Sequence, residues 1–123
     1  MKKIFLIACL ILIANSAQAE QMKTYYPNGK VQMEITDQGM KTYYENGQVS
    51  SEMPQKNGSP SGIGKTYYES GKVMSETEYK DGDIVGLTKQ FYENGKIMRE
   101  EDHKTGSWKA YGEDGKLAAE GKS

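Results

Sequence analysis

The same dozen residues are written five times along this chain. Aligned on their turns, the copies read KTYYPNGKVQME from Lys23, KTYYENGQVSSE from Lys41, KTYYESGKVMSE from Lys65, KQFYENGKIMRE from Lys89 and KAYGEDGKLAAE from Lys109. They occupy residues 23–34, 41–52, 65–76, 89–100 and 109–120. Their starts lie 18, 24, 24 and 20 residues apart. A repeat this short is one supersecondary unit that cannot bury its own face and must stack on its neighbours, so the period confines the chain to a repeat architecture.

Each copy carries its own hairpin signal. Two aromatic positions are followed by Asn-Gly, Ser-Gly or Asp-Gly and then by an aliphatic residue in an alternating run, the pattern of strand, tight reversal, strand. Helix is excluded by glycines that recur too often and by the lack of apolar residues spaced three and four apart. The linkers hold further turns: Asp81-Gly82, Asn57-Gly58 with Pro54 and Pro60 placed at loop or edge positions, and shorter reversals around Gly39 and Gly106. The expected fold is all-β: an antiparallel meander of repeated β-hairpins, roughly ten short strands, forming an elongated, twisted single-layer sheet.

Two registers compete within each hairpin. A two-residue turn pairs Tyr26 with Val31 and sets Lys23 across from Glu34, with equivalent ion pairs in all five copies. A three-residue turn ending in a glycine bulge pairs Tyr25 with Val31 instead. Pro27 favours the second, because its fixed φ suits the first corner of a type I turn and its missing N–H would break a two-residue turn. The fifth copy agrees, keeping Tyr111 and replacing the second ring with Gly112. This register places Tyr25, Tyr43, Tyr67, Phe91 and Tyr111 on a packed face with Val31, Val49, Val73, Ile97 and Leu117. The second column, Tyr26, Tyr44, Tyr68 and Tyr92, then lines the opposite, more exposed face near Glu34, Glu52, Glu76 and Glu100, and is the expected partner-binding row.

The first residues concern destination. MKKIFLIACLILIANSAQAE has two lysines, an apolar run from Ile4 to Ala14 and Ala17-Gln18-Ala19, the form of a signal peptide cleaved before Glu20. The run is too short to span a bilayer, which takes roughly 17–25 apolar residues. Residues 1–19 are expected to be removed and residues 20–123 to form one domain, exported to the periplasm or secreted, with no stable membrane insertion after cleavage. A lipoprotein processed at Cys9 is the alternative; against it, the segment before Cys9 is short and LILIA after it is apolar where a hydrophilic tether is expected. Cleavage leaves no cysteine, hence no disulfide or thiolate chemistry. It also leaves 14 Lys+Arg against 17 Asp+Glu, without the basic stripe of a nucleic-acid-binding protein. From Glu20 onward 30 of 104 residues are apolar or aromatic, too few for a thick core.

The pattern Tyr-Tyr-Glu-Asn-Gly-Lys-x-x-x-Glu, with Tyr-x-x-Gly-x-x-x-Gly, is fullest in ETEYKDGDIVGLTKQFYENGKIMRE, Glu76 to Glu100. It resembles the MORN-repeat variant of bacterial proteins often labelled YwqK-family antitoxins, over essentially the whole mature chain. The resemblance implies a β-hairpin repeat sheet that binds another protein and has no enzymatic activity. A signal peptide sits awkwardly with a cytoplasmic toxin as that partner, and a net acidic chain lacks the electrostatic footprint for anionic lipid. The first and fifth copies depart most from the pattern, as terminal capping units do.

The residues carry no catalytic, metal or cofactor signature. His103 stands alone in REEDHKTG, with no second histidine or mature cysteine to complete a zinc set, and reads as part of a solvated acidic turn. No serine occupies a nucleophile-elbow context. Glutamates end every copy, so their spacing marks no particular pair for acid–base work. Asp81 and Asp83 lack the further ligands of a calcium loop. The rival functional reading is cell-wall glycan or choline binding, since YYENGK also resembles the aromatic hairpin repeats of wall-binding modules. Those carry a tryptophan in each unit, whereas here Trp108 is the only one.

Overall fold

The computed structural model describes residues 10–12 and 21–123. The expected cleavage site at Ala17–Ala19 and the alternative lipidation site at Cys9 lie outside the described residues. The strands are β1 (Leu10–Leu12), β2 (Gln21–Tyr25), β3 (Val31–Thr36), β4 (Gly39–Tyr43), β5 (Val49–Lys56), β6 (Ser59–Pro60), β7 (Gly62–Tyr67), β8 (Val73–Lys80), β9 (Asp83–Phe91), β10 (Ile97–Asp102), β11 (Ser107–Tyr111) and β12 (Leu117–Lys122). They form one open antiparallel sheet in chain order, with β6 folded back onto β5 off the main path. The all-β meander expected from the repeat is the fold observed.

The turn chemistry explains the meander. In the first hairpin Tyr26 N–H donates to the Lys30 carbonyl at 2.8 Å and Gly29 N–H to the Tyr26 carbonyl at 2.9 Å. Gly29 holds φ at +87°, where a side chain would be strained. This is the three-residue turn with a glycine bulge, and the other four hairpins repeat it. Between units, Asn57-Gly58 and Asp81-Gly82 have both residues at positive φ, the signature of two-residue type I′ turns. Pro54 lies within β5 opposite Gly39 rather than in a loop, at the far end of that pairing where the missing N–H costs least.

The two competing registers turn out to coexist. Tyr25 pairs with Val31, yet Thr24 pairs with Met33 and Lys23 with Glu34. A second bulge just after the turn, with Gln32 as the extra residue, shifts the register by one and restores the ion-pair alignment. The same shift occurs in every hairpin, at Thr42/Tyr43, Thr66/Tyr67, Ile97/Arg99 and Ala110/Tyr111.

No hydrophobic side chain among the described residues is buried; apart from two glycines, Thr24 alone is, at 5% exposure. Both tyrosine columns are half-buried alike. The expected contrast between a packed and an exposed face is therefore absent, because a single layer gives neither column anything to pack beneath. Stability comes from pairing along the sheet.

Candidate functional site

Registers across the sheet sort the side chains into two faces of different chemistry. On one face the hairpin register and the linker register agree so that Lys23, Glu34, Lys41, Glu52, Lys65, Glu76, Lys89, Glu100, Lys109 and Glu120 stand directly opposite one another, strand after strand. The signs alternate at every step. Lys23 approaches Glu34 at 3.5 Å and Lys65 approaches Glu76 at 3.6 Å. Beside this ladder runs a row of aromatic–aliphatic pairs: Tyr25 with Val31, Tyr43 with Val49, Tyr67 with Val73, Phe91 with Ile97 and Tyr111 with Leu117. Tyr67 lies beside the carboxylates of Glu52 and Glu76. Partial burial, with the charges of Glu52 and Glu76 added, holds its phenol above the usual tyrosine value. The glutamates thus belong to the face of the first aromatic column, not to that of the second as the sequence reading placed them, because the second bulge adds a residue between turn and glutamate.

The opposite face carries no charged side chain along the aligned rows from β2 to β9. One row reads Thr24, Met33, Thr42, Ser51, Thr66, Ser75 and Gln90. Thr42 is hydrogen-bonded to Ser50 at 2.6 Å and to Ser51 at 2.5 Å, so the bulge residue and its successor point the same way. Thr66 and Ser75 meet at 2.5 Å. The next row holds Met22, Ile35, Met40 and Met53 in direct opposition. The Met53 thioether lies over Gly64 beside the Tyr79 ring, and a side chain at residue 64 would stand only 3.0–3.2 Å from both, so that they would have to give way. Met74 and Met98 occupy the bulge position that Ser50 fills in the second hairpin. Every methionine from Met22 onward is therefore on this face.

Tyr26, Tyr44, Tyr68 and Tyr92 stand on this face too, beside the Thr/Ser row; Tyr26 shares a cavity lining with Thr24, Gln32, Met33, Thr42 and Ser50. Each reaches one unit onward. Tyr26 Oη donates to the Tyr43 carbonyl at 2.5 Å, Tyr44 to Tyr67 at 2.5 Å, Tyr68 to Phe91 at 2.7 Å and Tyr92 to Tyr111 at 2.7 Å. Asparagine amides run alongside: Asn28 to the Glu45 carbonyl at 3.3 Å, Asn46 to Glu69 at 3.3 Å and Asn94 to Glu113 at 3.1 Å. The hydroxyls are committed within the sheet, and what these tyrosines offer outward is the ring. The fifth copy has Gly112 in place of this second ring.

Lysines stand at the turns of this face, Lys30, Lys72 and Lys96 being paired across the hairpin with Tyr26, Tyr68 and Tyr92, and along the strand rows charge returns near the C-terminal end. Arg99 lies 4.5 Å from the centroid of the Trp108 ring and 3.7 Å from Glu101, while Trp108 covers Gly121. His103 Nε2 meets Thr88 Oγ1 at 2.8 Å. Asp102 accepts the backbone N–H groups of Lys104 and Thr105, and the first of these chiefly holds its carboxyl below the usual value.

The sequence reading missed the methionine row and the serine–threonine row. A signal for the first was present: Met22, Met33, Met40 and Met53 each adjoin a residue of the charge ladder, and neighbours on a strand point to opposite faces. Met74 and Met98 break that parity, which only the second bulge explains.

The sequence profile of the family described as MORN repeat variant matches five consecutive segments, residues 21–36, 40–57, 60–81, 84–104 and 104–122. No curated protein and no solved structure matches the chain.

Proposed function

This chain belongs to the MORN repeat variant family, and from that membership and the two-faced sheet we propose that it is an exported, non-enzymatic module that binds another protein. The observation that carries the reading is the pair of aligned rows from β2 to β9 that hold no charged side chain. Interface cores are depleted of charge and enriched in tyrosine and methionine, and a methionine row supplies an adaptable apolar surface. The partner-binding residues are the rings of Tyr26, Tyr44, Tyr68 and Tyr92, with Met33, Met40 and Met53 beside them. An immunity-like role fits if the partner is itself a toxin met outside the cytoplasm.

The test is capture from crosslinked envelope extract with two matched variants. Gln32→Glu with Ser50→Glu charges the binding face without touching the tyrosine staples. Lys41→Glu with Glu52→Lys alters the opposite face. The first pair abolishes capture of a stoichiometric protein and the second preserves it, with the far-ultraviolet circular dichroism of both unchanged. Equal loss from both pairs refutes the assignment of the face. Enrichment of wall fragments without a protein transfers the function to glycan binding.

A further inference from the structure

The charged face has a symmetry that the sequence does not advertise. Its ladder begins with Lys23, ends with Glu120 and alternates without a break over ten strands. Reversing an even, alternating row exchanges every lysine position with a glutamate position. The adjoining row reverses in the same way: aromatic residues stand on β2, β4, β7, β9 and β11, and aliphatic residues on β3, β5, β8, β10 and β12.

We propose that this face docks on the same face of a second copy of the chain, about a two-fold axis parallel to the strands. That axis reverses the strand order and keeps each row on its own counterpart. Lys23 then faces Glu120 of the second copy, Lys41 faces Glu100, and Lys65 faces Glu76. In the neighbouring row Tyr25 faces Leu117 of the second copy, Tyr43 faces Ile97, and Tyr67 faces Val73. Every ring meets an aliphatic side chain, the large-on-small alternation that lets two layers interdigitate. A two-fold axis along the ladder instead sets lysine on lysine and separates the apolar rows, so charge selects one orientation. Aligned packing at roughly 30° is what two twisted sheets adopt face to face.

Three observations support a second copy as the occupant. The sheet has no second layer of its own and no buried hydrophobic side chain, whereas a sheet face ordinarily packs against another element. Leu117, 50% exposed, and Ile63, 48% exposed, both sit on this face. Lys41, Lys89 and Lys109 make no ion pair among the described residues, which leaves their charges available to a glutamate of another molecule. The stripe crosses ten strands, roughly 43 Å at about 4.8 Å per step. At roughly 15 Å wide it presents on the order of 650 Å² per copy, near the size of a standard interface. The dimer leaves both methionine faces outward, so it is independent of the partner assigned to them.

Sedimentation of the purified protein at micromolar concentration, with carbodiimide coupling of lysines to carboxylates, tests the proposal. The expected result is a dimer whose crosslinked peptides join Lys41 to Glu100 and Lys23 to Glu120. Within one chain those pairs lie about 24 Å and 43 Å apart by strand count, beyond a zero-length reagent. Leu117→Glu, at an exposed position, is expected to weaken association at least tenfold with circular dichroism unchanged. A protein that sediments as a monomer overturns the proposal. So does a dimer that lacks both crosslinks, or a folded Leu117→Glu protein that associates as the parent does.

Discussion

At the scale of single residues, the tyrosine staples make the sharpest claims. Tyr44→Phe removes only the hydroxyl that donates to the Tyr67 carbonyl and is expected to cost about 1 kcal/mol. For a domain of this size that is a fall of roughly 4–8 °C in melting temperature, measurable by thermal circular dichroism. Gly39 tests a close approach: it holds φ at +146°, and a side chain there would run into the Met53 carbonyl. Gly39→Ala should therefore lose at least about 2 kcal/mol in urea unfolding. Two groups give the stability a pH dependence of known sign. Tyr67 has its pKa raised by burial and the nearby glutamates, so its contribution is whole below the ordinary tyrosine value and is lost as pH rises through the elevated one; Tyr67→Phe should flatten that alkaline loss. Asp102 has its pKa lowered, chiefly by the Lys104 N–H. Its contribution is present above the ordinary carboxylate value and is lost as pH falls through the depressed one. Carboxyl chemical shifts should show Asp102 titrating below the ordinary aspartate value.

At the scale of the hairpin, the third unit lacks a part. Asn28, Asn46 and Asn94 each accept a backbone N–H two residues on and donate to the next unit. Ser70 accepts only at 3.5 Å and has no amide to donate. Ser70→Asn is expected to stabilise the protein by roughly 0.5–1 kcal/mol, read as a higher urea midpoint at unchanged slope. The hairpin was largely legible in the sequence, because Pro27, the Asn-Gly turns and the surviving Tyr111 all report local backbone geometry. The second bulge was not. Gln32, Ser50 and Met74 share no side-chain chemistry, and the bulge is set by the need to satisfy two registers at once, that of the turn and that of the charge ladder.

At the scale of the whole molecule, repetition turns a marginal hairpin into a surface. Each unit adds a strand pair, a tyrosine staple and two rungs of the ladder, so stability grows with length and no residue is central to it. The two-faced character was only half legible, since alternation along a strand separates lysine from methionine, but which tyrosine column joins which face depends on bulges that the pattern hides. The central claim is that adjacent residues of one strand meet different molecules, and photo-crosslinking from Ser51 and from Glu52 in the living cell tests it most directly. The account predicts an adduct with a different protein from Ser51 and an adduct of twice the chain's own mass from Glu52. The same adduct from both positions, or none from Ser51, would contradict it.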